Sequence, residues 1–196
     1  MTESVMTESM RGARALSQAD AERRKLGLYL GTVGGVILLD QVTKFVVERS
    51  LQLYNPVPVL GDVFRLTYIF NRGAAFGLNL GQSSRWIFMG LAAVAVVVLW
   101  LMYRGTPWGD KLRLIAIASV TGGAIGNLID RVRSSRGVVD FLDFGVGDVR
   151  WPVFNVADIA VTVGALMLAF SLWREEKKIE HELDPTADPV ADDAGE

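Results

Sequence analysis

The sequence predicts a membrane-embedded all-α core: four transmembrane helices, with a small extracytoplasmic β-sheet or cradle and a loop or short helix on the outer face. Three observations predict it. The chain of 196 residues is 51% hydrophobic. Its charges are pushed to the ends: residues 1–25 carry 9 and residues 174–196 carry 12, leaving 21 for the 148 residues between. That central share is about 14%, well under the roughly 25% of an ordinary soluble domain. Finally, β-prone segments with turn-forming residues fall between the apolar stretches, within 48–85 and 137–150.

The four apolar stretches each approach the roughly 20 residues of helix that a 30 Å hydrocarbon core demands. They cover about 26–47, 86–103, 112–130 and 151–173. The first is interrupted by Asp40 and Lys44, the second is free of charge, and the fourth carries only Asp158. Apolarity on every side of Leu91–Met102 suits lipid better than the core of a soluble protein. Gly27, Gly31 and Gly35 recur every fourth position, as do Gly122 and Gly126. Such rows allow close helix contact, although for the first set the general enrichment of glycine in membrane spans is an equal explanation.

Four spans place both termini on one side. That side collects 11 Lys and Arg against 8 on the other, which favours cytoplasmic termini. The organisation is then a polar cytoplasmic extension (1–25), a four-span domain (26–173) and a charged, disordered cytoplasmic tail (174–196). After Lys178 that tail holds seven acids, two prolines and no Lys or Arg. The N-terminus is too polar for a cleaved signal, so the first span serves as an uncleaved anchor. In the outer loops, 63–70, 138–144 and 149–153 read as strands, the last two flanking a turn at 145–148. The 48–62 loop is placed to close over the site as a lid.

Composition excludes several chemistries. There is no cysteine, so disulfides, zinc-thiolate centres and cysteine nucleophiles are out. The single histidine, His181, lies in the charged tail and leaves no basis for a serine triad or a multi-histidine metal site. A net charge of −2 gives no reason to expect nucleic acid.

Carboxylates are the expensive residues. One at the bilayer centre costs about 2.5–3.5 kcal/mol on insertion scales, so each marks a functional candidate. Asp40, Asp130, Asp140 and Asp158 all fall within or at the edges of the spans and share one level near the outer interface. Asp40 and Lys44 lie four apart on one helical face and form an ion pair that either supports a site or only neutralises itself. Asn127, Asp130 and Arg131 share a face, suited to orienting or capping, with Asp130 ionised beside Arg131. Asp140 sits in the apolar run Val138-Val139-Asp140-Phe141-Leu142. Asp158 lies seven residues into the fourth span, one turn after Asn155 and far in sequence from any basic residue. Two carboxylates without cationic partners would share a proton if they met, and such a dyad can activate water while polarising a carbonyl. Asp143 is the nearest decoy, on the opposite face of an extended strand. Asn71-Arg72-Gly73-Ala74-Ala75-Phe76-Gly77 either admits a substrate backbone or simply re-enters the interface.

Five stretches together resemble the lipoprotein signal peptidase (signal peptidase II) family. They are Asp40-Gln41-Val42-Thr43-Lys44, Asn71-Arg72-Gly73-Ala74-Ala75-Phe76, the run from Gly122 to Arg131, Val138-Val139-Asp140-Phe141 and Phe154-Asn155-Val156-Ala157-Asp158. They occur in the family's order across 26–173, without departure at the motif positions. The resemblance implies an aspartyl endopeptidase of the bacterial inner membrane, cutting prolipoproteins before a diacylglyceryl-modified cysteine. It makes Asp140 and Asp158 the catalytic pair, with Asn155 orienting them. Asn71, Asn127 and Arg131 would contact or position substrate, and Asp40, Lys44, Asp130 and Gly73 would support the site. It implies no metal or organic cofactor and sensitivity to globomycin-type inhibitors; the partners expected are prolipoprotein substrates and membrane lipid, with no nucleic acid, and nothing in the sequence demands more than a monomer. The rival readings are a small proton- or ion-coupled transporter, against which the lack of an internal repeat counts, and a non-catalytic membrane scaffold.

Overall fold

The computed structural model describes residues 3–73 and 83–183, with side chains from residue 16 onward. Four helices, α1 (Glu3–Ser50), α2 (Ser84–Gly105), α3 (Lys111–Arg133) and α4 (Val156–Leu183), are each long and apolar enough to cross a membrane. Four strands, β1 (Val57–Leu60), β2 (Phe64–Asn71), β3 (Val138–Val146) and β4 (Val149–Arg150), form an antiparallel sheet in sequence order.

The helix boundaries depart from expectation at three ends. α1 is one continuous helix of 48 residues that runs back through the polar extension. Alanine, glutamate and arginine in that segment are good helix formers, and it holds no proline to stop the helix. α4 starts at Val156, not 151, because Trp151–Phe154 run extended along β3: Phe154 bridges Leu142, and the two exchange backbone hydrogen bonds of 2.8 and 3.1 Å. Asp158 therefore stands in the first turn of α4 instead of seven residues in. At its far end α4 continues to Leu183, so 174–183 is helix, carrying an exposed Lys177–Glu180 pair at 2.8 Å. This corrects the expected disorder over those ten residues; 184–196 lie outside the described residues.

α3 is the hub of the bundle, and its glycines make it so. A Cβ on Gly122 would fall 2.8 Å from Val36 of α1, one on Gly123 2.4 Å from the Ala157 carbonyl of α4, and one on Gly126 2.7 Å from an Asp40 carboxylate oxygen. Gly27, Gly31 and Gly35 face open space, so the α1 row mediates no helix contact. One end of the bundle gathers Lys25, Tyr29, Trp100, Tyr103, Arg104 and the Arg113–Glu175 pair. The sheet and the acidic residues occupy the other.

Sequence periodicity located β2 and β3 closely. The third expected strand shrinks to two residues, since Pro152 offers no N–H to a ladder. Residues 48–62 are not a free loop: β1 pairs with β2, leaving 51–56 as connection. Val47, Tyr68, Val139 and Phe141 bury together and fasten the sheet to the end of α1. In the β2–β3 register Ile69 opposes Asp140 and Asn71 opposes Val138, which brings the Asn71 side chain to Asp140.

Candidate active site

The site is built on the seam between α1 and α3. Asp40 is fully buried, and its Oδ2 accepts from Lys44 Nζ at 2.8 Å. Asp40 Oδ1 accepts from the Ala157 backbone N–H at 3.0 Å and so caps the N-terminus of α4 from another helix. Lys44 also reaches Asp130 Oδ2 at 2.9 Å and Asn127 Oδ1 at 3.0 Å. One ammonium thus engages two carboxylates and an amide. The expected pairing of Asp130 with Arg131 does not form: the Arg131 guanidinium instead donates to the Asn127 carbonyl at 3.2 Å and the Gly73 carbonyl at 3.1 Å. Asp130 Oδ2 additionally accepts from the Val139 N–H at 3.2 Å, tying α3 to β3 beside Asp140.

Two amides carry this order to the other carboxylates. Lys44 only donates, so it fixes Asn127 Oδ1 toward itself and leaves Asn127 Nδ2 to donate to Asp158 Oδ1 at 2.8 Å. Asn155 is the N-cap of α4: its Oδ1 accepts from the Asp158 N–H at 2.9 Å, and Asp158 Oδ2 accepts from the Asn155 N–H at 3.2 Å. This reciprocal pair is a capping box with aspartate in its third helical position. With its oxygen so engaged, Asn155 turns Nδ2 to Asp140 Oδ1 at 2.6 Å. Asp140 Oδ2 accepts from Asn71 Nδ2 at 2.9 Å, while Asn71 Oδ1 holds the Gly73 N–H at 3.0 Å.

Asp140 and Asp158 thus lie on either side of one asparagine, both on the wall of a cavity of about 680 Å³. Among the described residues neither forms an ion pair. Asp140 is fully buried, and its carboxyl is pushed up to about 7. Burial is the main cause, with the charge of Asp158 adding to it. The amide donors of Asn71 and Asn155 and the charge of Lys44 oppose the rise. Asp143 is the counter-example. It pairs with Arg150 Nε at 2.6 Å and accepts from Thr67 Oγ1 at 2.6 Å, which leaves it locked in the sheet. The cavity extends from the Asp140 and Asp158 carboxyls along α4 past Ile159, Thr162 and Val163, an apolar wall inside the span.

All ten sequence candidates therefore join one network, linked through Lys44, Asn127, Asn155 and Gly73. Residues 74–77 of the Asn71–Gly77 segment lie outside the described residues. Sequence reasoning missed Gln41, whose Nε2 donates to Asp40 Oδ2 at 3.1 Å and Asp130 Oδ1 at 3.2 Å. Its place between Asp40 and Lys44 in a quoted motif was the available signal. Among the described residues no group of three or more His, Asp or Glu side chains could hold a metal ion.

The model of the family described as "Signal peptidase (SPase) II" matches residues 32–174, which takes in every residue of this network. The chain belongs to the signal peptidase II family. A lipoprotein signal peptidase from Cupriavidus taiwanensis is 42% identical over 178 residues, spanning 89% of this chain and 98% of its own. One from Halothermothrix orenii is 43% identical over 142 residues, 72% of this chain and 92% of its own. A solved structure titled as a bacterial membrane enzyme superposes with a TM-score of 0.69 at 25% identity, covering 84% of this chain and 95% of that one. This signal peptidase II is a multi-pass membrane aspartic protease of lipoprotein processing, and the transporter and scaffold readings give way to it.

Proposed function

We propose that this signal peptidase cleaves diacylglyceryl-modified prolipoproteins just before the lipidated cysteine, using Asp140, Asp158 and one water. The observation that carries the reading is that these two carboxylates, Asp140 buried and Asp158 half-buried, are alone in the network in being held by amides and no cation while facing one cavity. A carboxyl that stays neutral to about pH 7 is suited to donate a proton to the scissile carbonyl oxygen. The ionised Asp158 takes a proton from water, whose oxygen adds to the carbonyl carbon and gives a tetrahedral intermediate. Collapse breaks the C–N bond as the proton on Asp158 passes to the departing nitrogen, and the intermediate's hydroxyl returns one to Asp140. A new carboxyl and a new amine result, and the dyad is restored.

The surroundings suit the rest of the substrate. An apolar signal-peptide helix fits the wall of α4, and the acyl chains on the cysteine stay in lipid. Arg131, holding the Gly73 carbonyl, fixes the rim where the peptide backbone would pass. With cytoplasmic termini the site opens at the extracytoplasmic face, and a monomer suffices in membrane lipid. A globomycin-type cyclic peptide would occupy the same cavity.

The test is cleavage of a diacylglyceryl-modified prolipoprotein by the purified enzyme. Asp140→Asn and Asp158→Asn are expected to lose about 10³-fold or more in kcat with the melting temperature retained, while Asp143→Asn keeps activity. Full activity in either of the first two variants would remove that residue from the chemistry.

A further inference from the structure

We propose that a second cavity, next to the candidate active site, binds a phosphate ester: the head group of a membrane glycerophospholipid. The cavity, about 410 Å³, lies on the other side of the Ile69–Gly73 segment and is lined by Leu53, Tyr54, Phe70, Arg72 and Arg136. No acidic residue lines it. Both arginines are exposed, and among the described residues neither guanidinium has a hydrogen bond or ion pair. The nearby acid on α1, Glu48, is already engaged by Arg133 at 2.9 Å. The Arg136 guanidinium carbon sits over the Phe70 ring, 4.1 Å from its centroid, a contact that restrains the side chain at the cavity and leaves its N–H donors unspent.

Depth identifies the source of the anion. α1 ends at Ser50 and α3 at Arg133, both at the sheet end of the bundle, so Leu53, Tyr54 and Arg136 stand three to four residues beyond the two spans. That is the level of the head groups, where a planar guanidinium fork matches phosphate oxygens in pairs. Leu53 and Phe70 offer apolar surface to a glycerol backbone. Tyr54 is held at φ +60°, the one non-glycine residue with positive φ among those described, with its N–H donated to the Tyr68 carbonyl at 2.9 Å. A bulky side chain is seldom kept in that region, and here it sits on the cavity rim. The cavity shares Ile69, Asn71 and Gly73 with the wall of the Asp140–Asp158 cavity, but the proposal does not rest on the catalytic reading.

The experiment titrates the full chain in uncharged detergent with three probes: short-chain phosphatidylglycerol, the matching diacylglycerol, and inorganic phosphate. Arg72→Gln/Arg136→Gln should bind phosphatidylglycerol about tenfold or more weakly than wild type. The charge-keeping Arg72→Lys/Arg136→Lys should lose less, and Arg113→Gln, at the opposite end of the bundle, nothing. Diacylglycerol binding should be equal in all of them, which also reports an intact fold. Phosphatidylglycerol tighter than inorganic phosphate supports the lipid source. Both phosphates binding alike, and both weakened in the double glutamine variant, supports the phosphate site but assigns it to free phosphate. Equal phosphatidylglycerol affinity in wild type and the double glutamine variant overturns the proposal.

Discussion

Two pairs of aspartates share this end of the bundle, three of the four buried and Asp158 half-buried, and the pairs are held in opposite ways. Asp40 and Asp130 converge on one ammonium, at 2.8 and 2.9 Å, and their remaining contacts cap α4 and anchor β3. Asp140 and Asp158 receive only amide N–H donors and face a cavity. The ammonium neutralises charge within the first pair, whereas burial pushes the Asp140 carboxyl up against the opposing amide donors. The first pair ties the bundle together, and the second is the pair to which the proposed function gives the chemistry. Lys44 and Asn127 couple them, because the ammonium decides which way the amide points.

The largest break in that contrast is Lys44→Met. It leaves two buried carboxylates without a cation and should cost about 3–5 kcal/mol of stability, read as a lowered melting temperature in detergent. Adding Asp40→Asn should recover part of the loss, since an asparagine Oδ1 still accepts from Ala157. Next is Asn155→Ala, which removes the one side chain among the described residues that hydrogen-bonds to both members of the second pair. We expect kcat to fall by about 100-fold through misplacement, KM to change little, and stability to fall by about 1 kcal/mol for the lost cap. A smaller effect separates the two glycine rows. Gly126→Ala presses a methyl against the Asp40 carboxylate and should cost about 1–3 kcal/mol, while Gly31→Ala meets open space and should stay within about 0.5 kcal/mol. Equal melting shifts for the two would contradict the role given to α3 as hub.

The spans were legible because lipid imposes a length and a charge pattern that one sequence displays. β2 and β3 were legible because alternation and glycine turns are local signals. The start of α4 was not, since Trp151-Pro152-Val153-Phe154 is as apolar as the helix that follows. Yet Asn155 and Asp158 spell a capping box, a reading that places the boundary correctly. The helical 174–183 segment was hidden by its charge, although glutamate and lysine at helical spacing stabilise an exposed helix. Asp130 was matched to Arg131 because they adjoin in sequence. Neighbours on a helix point about 100° apart, and Lys44, on another helix, is what Asp130 meets. The family resemblance named the Asp140–Asp158 pair and its asparagines Asn71, Asn127 and Asn155, but which amide group meets which carboxyl oxygen emerges only from tertiary contacts.

The contrast between the two pairs is tested most directly by infrared spectroscopy of the carboxyl C=O stretch in the purified enzyme across pH. The account predicts a protonated-carboxyl band at pH 6 that fades as pH rises through about 7, taking peptidase activity down with it, and that is absent from Asp140→Asn. A wild-type enzyme with no such band at pH 6, or one whose band survives Asp140→Asn unchanged, would contradict it.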